Sequence, residues 1–128
     1  MTSEGYHEPL DKLTERTLDH HRAIVSLMEE LEAVDWYDQR VDATDDIELA
    51  AVLAHNRDEE KEHACMLLEW IRRNDAKFDE LLRRFLFRAG AIAAEEQAAS
   101  GTSATPRAAD DAGTLRIGSL RAANGDAR

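Results

Sequence analysis

Glu60 and His63 stand three positions apart in the run HNRDEEKEHACMLLEW, so on a helix they share one face. A carboxylate and an imidazole at this spacing can hold one metal ion together. Coordinate bonds and opposite charge then offset what the two groups lose on leaving water. Glu30 lies upstream, on a helical face with Ala23, Leu27, Val34 and Tyr37, from which it can look toward a facing helix. Glu-x-x-His by itself is a common accident of glutamate-rich helices. Its place in an apolar seam, together with Glu30, turns the reading toward a metal site.

The elements that must position these residues are helical. Pro9 suits a first helical turn, Glu8 and Asp11 place negative charge at its positive end, and no Gly or Pro follows until Gly90. Leu10, Leu13, Ile24, Leu27, Met28, Leu31, Val34 and Val41 recur at helical spacing, which predicts one amphipathic helix from Pro9 to about Gln39 or Asp42. Asp42, Thr44 and Asp45 suit a turn, and Asp45 with Glu48 has capping-box spacing, so a second helix is expected from about Asp46. Its seam reads in heptads, with Leu49, Asn56, His63 and Trp70 in one row and Leu53, Glu60, Leu67 and Asn74 in the other. The short connection makes the two helices antiparallel. Asn74 is expected to cap a short third helix bearing Phe78, Leu81, Leu82, Phe85 and Leu86, which ends near Gly90. Residues 1–8 read as a flexible arm, 9–90 as the helical body, 91–113 as a frayed helix and linker, and 114–128 as a tail.

Bulk properties narrow the function. One small domain fits 128 residues, and 27 Asp and Glu against 16 Lys and Arg give a net charge of −11, which argues against a nucleic-acid partner; cations are the more natural visitors, but on charge alone an acidic solvated exterior is the simpler account. Cys65 is the single cysteine, so there is no internal disulfide framework, and the spacing patterns of thiolate metal sites are absent. The N-terminal residues lack an export signal, and no segment is long and apolar enough to span a membrane, so a cytoplasmic setting is expected.

Di-iron four-helix bundles of the ferritin-like class take a Glu from each of two helices and a Glu-x-x-His from each of two others. This chain carries half of that set, and a two-fold axis would supply the rest at a subunit interface. The expected fold is therefore all-α, a two-helix hairpin plus a short C-terminal helix, dimerising into a ferritin-like four-helix bundle. The runs EELEAVDWYDQRVDA and LAHNRDEEKEHA resemble those of encapsulated ferritin, and the likeness extends from about His7 to Lys77 and resumes at the tail. That resemblance implies a decameric ring of hairpin dimers. It also implies a ferroxidase centre at Glu30, Glu60 and His63, with Glu60 bridging two irons, and an access site for iron, Ca or another divalent cation near Glu29, Glu32 and Trp36. The donor types agree, since carboxylates suit iron in both oxidation states and imidazole adds a neutral nitrogen.

In the tail, Leu115, Arg116, Ile117, Gly118, Ser119 and Leu120 follow the polar linker and resemble the peptide that loads cargo into encapsulin shells. Such an extended segment would seat its apolar side chains in shallow pockets of the shell protein while the linker tethers the body. The resemblance thus implies Fe²⁺ and O₂ as substrates and a place inside an encapsulin nanocompartment, where oxidised iron is stored.

The blander readings differ in strength. Glu29, Glu32, Glu59, Glu62 and Glu69 fall off the seam, where carboxylates ordinarily form a solvated face. Trp36, Tyr37 and Trp70 suit packing or interfaces. His7, His20, His21 and His55 suit surface or capping roles, and Cys65 a buried small side chain. A rubrerythrin would need a thiolate iron centre, and a haemerythrin more histidines. The serious competitor is a helical scaffold without chemistry, carried as shell cargo. Deleting Leu115 to Arg128 is expected to leave Fe²⁺ oxidation intact and to abolish co-purification with an encapsulin shell; continued shell binding would refute the targeting assignment.

Overall fold

A computed structural model describes residues 5–101, so the tail segment Leu115 to Leu120 lies outside the described residues. All regular structure among those described is helical: α1 (Glu15–Ala43), α2 (Ile47–Arg73), α3 (Ala76–Phe85) and α4 (Ile92–Gly101), preceded by a 3₁₀ turn at Leu10–Lys12. Two compact units result, one ending at Ala76 and one beginning at Lys77.

The first unit is a hairpin of α1 and α2. Pro9 does start a helical turn, but only the 3₁₀ one, with its carbonyl accepting from the Lys12 N–H at 2.9 Å. The chain then extends at Leu13 and restarts at Thr14, whose hydroxyl accepts from the Thr17 N–H at 3.1 Å. The long helix therefore begins six residues later than the Pro9 signal predicts, because a hydroxyl cap satisfies an orphan N–H that proline leaves open. At the other end of α1, the Thr44 hydroxyl accepts from the Asp46 N–H, and the Asp46 carboxylate accepts from the Leu49 N–H at 3.0 Å. Asp46, one residue beyond the expected Asp45, is thus the cap of α2.

Cross-helix pairs run in opposite directions along the two helices: Arg16 and His20 meet Asn74, Glu30 meets His63, and Asp38 meets Arg57. The hairpin is therefore antiparallel. Ala23, Ala64 and Ile71 are the buried apolar residues among those described. Small side chains at two of these positions let the helix axes approach closely, which short-reach groups such as carboxylates need in order to meet across a seam. The face of α2 turned to α1 follows Arg57, Glu60, Ala64, Leu67 and Ile71, all buried or half-buried. Leu49 and His63 of the other expected row stay exposed. Cys65, expected to be buried, is exposed. It lies about 100° around the helix from buried Ala64, on the flank that α1 does not cover.

Asn74 does not cap a third helix; it closes the second. Its side-chain amide donates to the Trp70 carbonyl at 2.9 Å, while its own carbonyl accepts from Arg16 at 3.1 Å and faces His20 Nε2 at 2.9 Å. His20 also packs edge-on against Trp70, with ring centroids 5.4 Å apart, so it acts as one of the capping histidines that the sequence allows.

In the second unit, α3 stops at Phe85 rather than near Gly90. Phe87 takes a left-handed φ of 60°, and the Arg88 guanidinium donates to the carbonyls of Arg83 and Arg84, both at 3.2 Å. These contacts satisfy the C-terminal carbonyls that would otherwise need another helical turn. The Ala-rich segment forms α4, a separate short helix rather than an extension of α3.

Near the end of α2, Glu69 accepts from Arg72 Nε and Nη2, both at 2.8 Å, and from Arg73 Nε at 2.7 Å. The Arg72 guanidinium first, and Arg73 second, hold its carboxyl down to about 2 from the ordinary 4.5. A depressed carboxylate stabilises the fold above its unfolded value, and that contribution is lost as pH falls toward the folded one. Carboxyl NMR titration should place the Glu69 midpoint near 2. Replacing both Arg72 and Arg73 by Met should return it close to the ordinary value; an unmoved midpoint would deny the arginines this role.

Candidate metal centre

Glu30 reaches the site from the middle of α1, and Glu60 and His63 from successive turns of α2. His63 Nδ1 lies 3.3 Å from Glu60 Oε1 and 3.7 Å from Glu30 Oε1. One donor atom from each of the three residues lies within 4.8 Å of the other two. Among the described residues this is the group of His, Cys, Asp and Glu side chains that converges tightly enough to share a cation.

The electrostatics of the group are those of a site made for positive charge. A hydrogen bond to Glu60 raises the Glu30 carboxyl above its ordinary range; burial and the Glu60 charge add to this, and His63 opposes it. Glu60 is drawn below its ordinary range, first by the hydrogen bond with Glu30 and then by His63. Two carboxyls this close disfavour each other's ionisation, and the imidazole beside Glu60 favours the charge there over Glu30. A metal ion between the two carboxylates would relieve their repulsion and satisfy both.

Access is open on one side. The side chains of Glu30 and Glu60 are 25% and 24% exposed, whereas that of His63 is 50% exposed. Three donors also leave the coordination of a first-row metal ion incomplete. Continuing from His63 at helical spacing, Met66 and Trp70 are exposed, as are Ile24, Met28 and Leu31 along α1. The donor set fits iron in type and falls short in number.

The structure leaves the other sequence candidates outside this convergence. Glu29, Glu32 and Trp36 lie exposed on α1, and the Glu29 charge adds slightly to the rise at Glu30. Trp36 lines a shallow groove of about 460 Å³ with Gln39, Arg40 and Ala43. His55 pairs with Glu59 at 3.2 Å, and His21 lies against Tyr6 of the N-terminal arm, with ring centroids 4.4 Å apart and the rings tilted by 35°.

Two polar links across the hairpin carry no signal in the residues singled out above. One is the Asn74 carbonyl with Arg16 and His20; the other is Arg57, whose Nη1 donates to Asp38 at 2.9 Å across the hairpin. Arg57 lies one turn before Glu60 on the same face, which is the signal that could have marked it.

Residues 5–89 match the family described as EncFtn-like. The chain is 59% identical over 127 residues to an encapsulated ferritin-like protein of Rhodospirillum rubrum, covering 94% of this chain and 91% of that protein. It is 52% identical over 101 residues to a ferritin-like protein of Thermotoga maritima, covering 79% and 89%. An encapsulin nanocompartment cargo protein of Myxococcus xanthus is 36% identical over 99 residues, covering 72% and 76%. A crystal structure of a protein from Nitrosomonas europaea superposes with a TM-score of 0.68 at 64% identity, covering 70% of this chain and 98% of that one.

Two facing carboxyls cost stability when no cation is bound. Glu30→Gln, which keeps the shape and a hydrogen bond to Glu60, is expected to stabilise the metal-free protein by up to about 1 kcal/mol. Thermal unfolding in the presence of a chelator checks this; a lower melting temperature would contradict it.

Proposed function

Since the chain belongs to the EncFtn-like family, we propose that it is a ferroxidase, oxidising Fe²⁺ to Fe³⁺ with O₂ at a site completed by two copies of the chain. The observation that carries this reading is the convergence of Glu30, Glu60 and His63 across the hairpin. Two carboxylates and one imidazole are the donor types that tolerate iron in both oxidation states. Each Fe²⁺ gives up one electron, so two ions held side by side let O₂ take a pair.

Completion by a second copy explains why the group is half a ligand set and why His63 is half exposed. A two-fold axis doubles it to four carboxylates and two imidazoles and turns the hairpin into a four-helix bundle. The same pairing would cover the apolar residues that follow the site along both helices, Ile24, Met28 and Leu31 on one and Met66 and Trp70 on the other, which water leaves costly to expose together. Further copies of the dimer close the decameric ring.

In this reading the net charge of −11 draws Fe²⁺ toward the surface. Glu29, Glu32 and Trp36 form the access site, which also accepts Ca or another divalent cation. A hairpin packed on a second hairpin leaves no large cavity for mineral, so oxidised iron must go elsewhere. The tail residues Leu115, Arg116, Ile117, Gly118, Ser119 and Leu120 supply that destination by docking the enzyme inside an encapsulin shell in the cytoplasm. The naming of the Myxococcus xanthus relative as an encapsulin cargo protein supports this. Among the described residues, no helix is long and apolar enough to cross a membrane.

The test is Fe²⁺ oxidation under air, followed by ferric absorbance. Glu60→Ala and His63→Ala are each expected to abolish the rapid phase, a loss of at least about 100-fold, because removing one ligand from each chain removes two from the shared centre. Wild-type rates in either variant would leave the non-catalytic scaffold as the better account.

A further inference from the structure

The hairpin that carries the metal ligands has little apolar burial to set its register. With Ala23, Ala64 and Ile71 as its buried apolar residues, two of the three are methyl-sized and hold a sliding neighbour weakly. Glu30 and Glu60 meanwhile face each other, and two carboxyls in contact do not by themselves hold the helices in register. A directional contact elsewhere along the seam must oppose slippage.

Arg57 makes such a contact. Its Nη1 donates to Asp38 Oδ1 on α1 at 2.9 Å, and its Nε donates to Asp58 Oδ1 on its own helix at 3.1 Å. The planar guanidinium is thus held on two edges, and the Asp58 contact aims the remaining fork across the seam. The Arg57 side chain is 22% exposed and that of Asp38 54%, so the cation lies along the seam while its partner reaches in from the surface. Arg57 precedes Glu60 by one turn, and Asp38 follows Glu30 by about two. A slip of one helical turn would break the pair and move Glu30 about 5 Å along the seam from its place beside Glu60.

We propose that Arg57 is a positioning residue for the metal centre: bridged to Asp38, it fixes the register at which Glu30 meets Glu60 and His63. The inference rests on the reading of those three residues as metal ligands. Positioning and simple charge have opposite signs here. A cation one turn from an anionic site repels a metal ion, so by charge alone its removal tightens binding. Loss of a positioning contact weakens it, because ligands displaced by about 1 Å no longer converge.

Co²⁺ titration of the full-length protein, followed by its visible absorption, separates the two. Arg57→Met and Asp38→Asn are each expected to weaken Co²⁺ binding by about tenfold or more and to alter the absorption band. Arg57→Lys should recover part of both. The double variant should bind no more weakly than either single one, since both remove the same contact. Unchanged or tighter binding in Arg57→Met with an unaltered band overturns the proposal, as do losses that multiply in the double variant. Should Arg57→Met fail to fold, Arg57→Gln carries the test, since it too removes the cation, so that charge alone would tighten binding while loss of the Asp38 contact weakens it. Glu60→Ala in the same titration guards the premise. Binding lost there but intact in Arg57→Met and Asp38→Asn removes only the role of Arg57, whereas wild-type binding in Glu60→Ala removes the metal centre itself.

Discussion

Two carboxyl groups facing each other across a helix hairpin are the constraint on which the rest of this structure turns. Glu30 and Glu60 are close enough to be linked by a hydrogen bond, and like charges at that range are tolerated only when a proton or cation stands between them. The hairpin meets the demand locally with His63, whose Nδ1 faces both carboxyls. It meets it geometrically with alanines at positions 23 and 64, which let the axes come near enough for short side chains to touch. Larger residues at those positions would fill the seam better and hold the carboxyls apart.

Such a seam is rich in function and poor in burial. One large side chain, Ile71, is fully buried among the described residues, and much of the apolar surface on both helices faces outward. Stability must then come from contacts beyond the hairpin, or from polar links within it. The polar links are visible: Thr14 and Asp46 cap the helix starts, while Arg16 and His20 bind the carbonyl that closes α2. Contacts beyond the hairpin follow from the proposed pairing with a second copy. On that reading, the surface that remains unsatisfied and the ligand set that remains incomplete have one remedy, and assembly becomes a condition of the chemistry.

The family resemblance and the physical reading converge from different sides. Similarity over residues 5–89 says which relatives share the fold, whereas the geometry says why Glu60 and His63 must be three positions apart and why Glu30 must lie opposite them. The donor types, the facing carboxyls and the open flank at His63 favour a cation.

What the sequence determined by itself is local. Helical periodicity, a short polar turn and Glu-x-x-His spacing are all set within a few residues, so the antiparallel hairpin and the shared face of Glu60 and His63 were legible without coordinates. The wheel position of Glu30 also pointed it toward the seam. Where two local signals competed, the sequence misled: Pro9 and Thr14 are both good helix starts, and only the folded chain shows which cap wins. Tertiary structure alone decided the rotation of one helix about its axis against the other. That rotation exposes Cys65, turns Asn74 from a helix starter into a carbonyl acceptor for Arg16 and His20, and brings Arg57 to Asp38. Periodicity of 3.6 residues says which side chains share a face; it carries no information on which distant residue will stand opposite, because that depends on the packing of both helices at once.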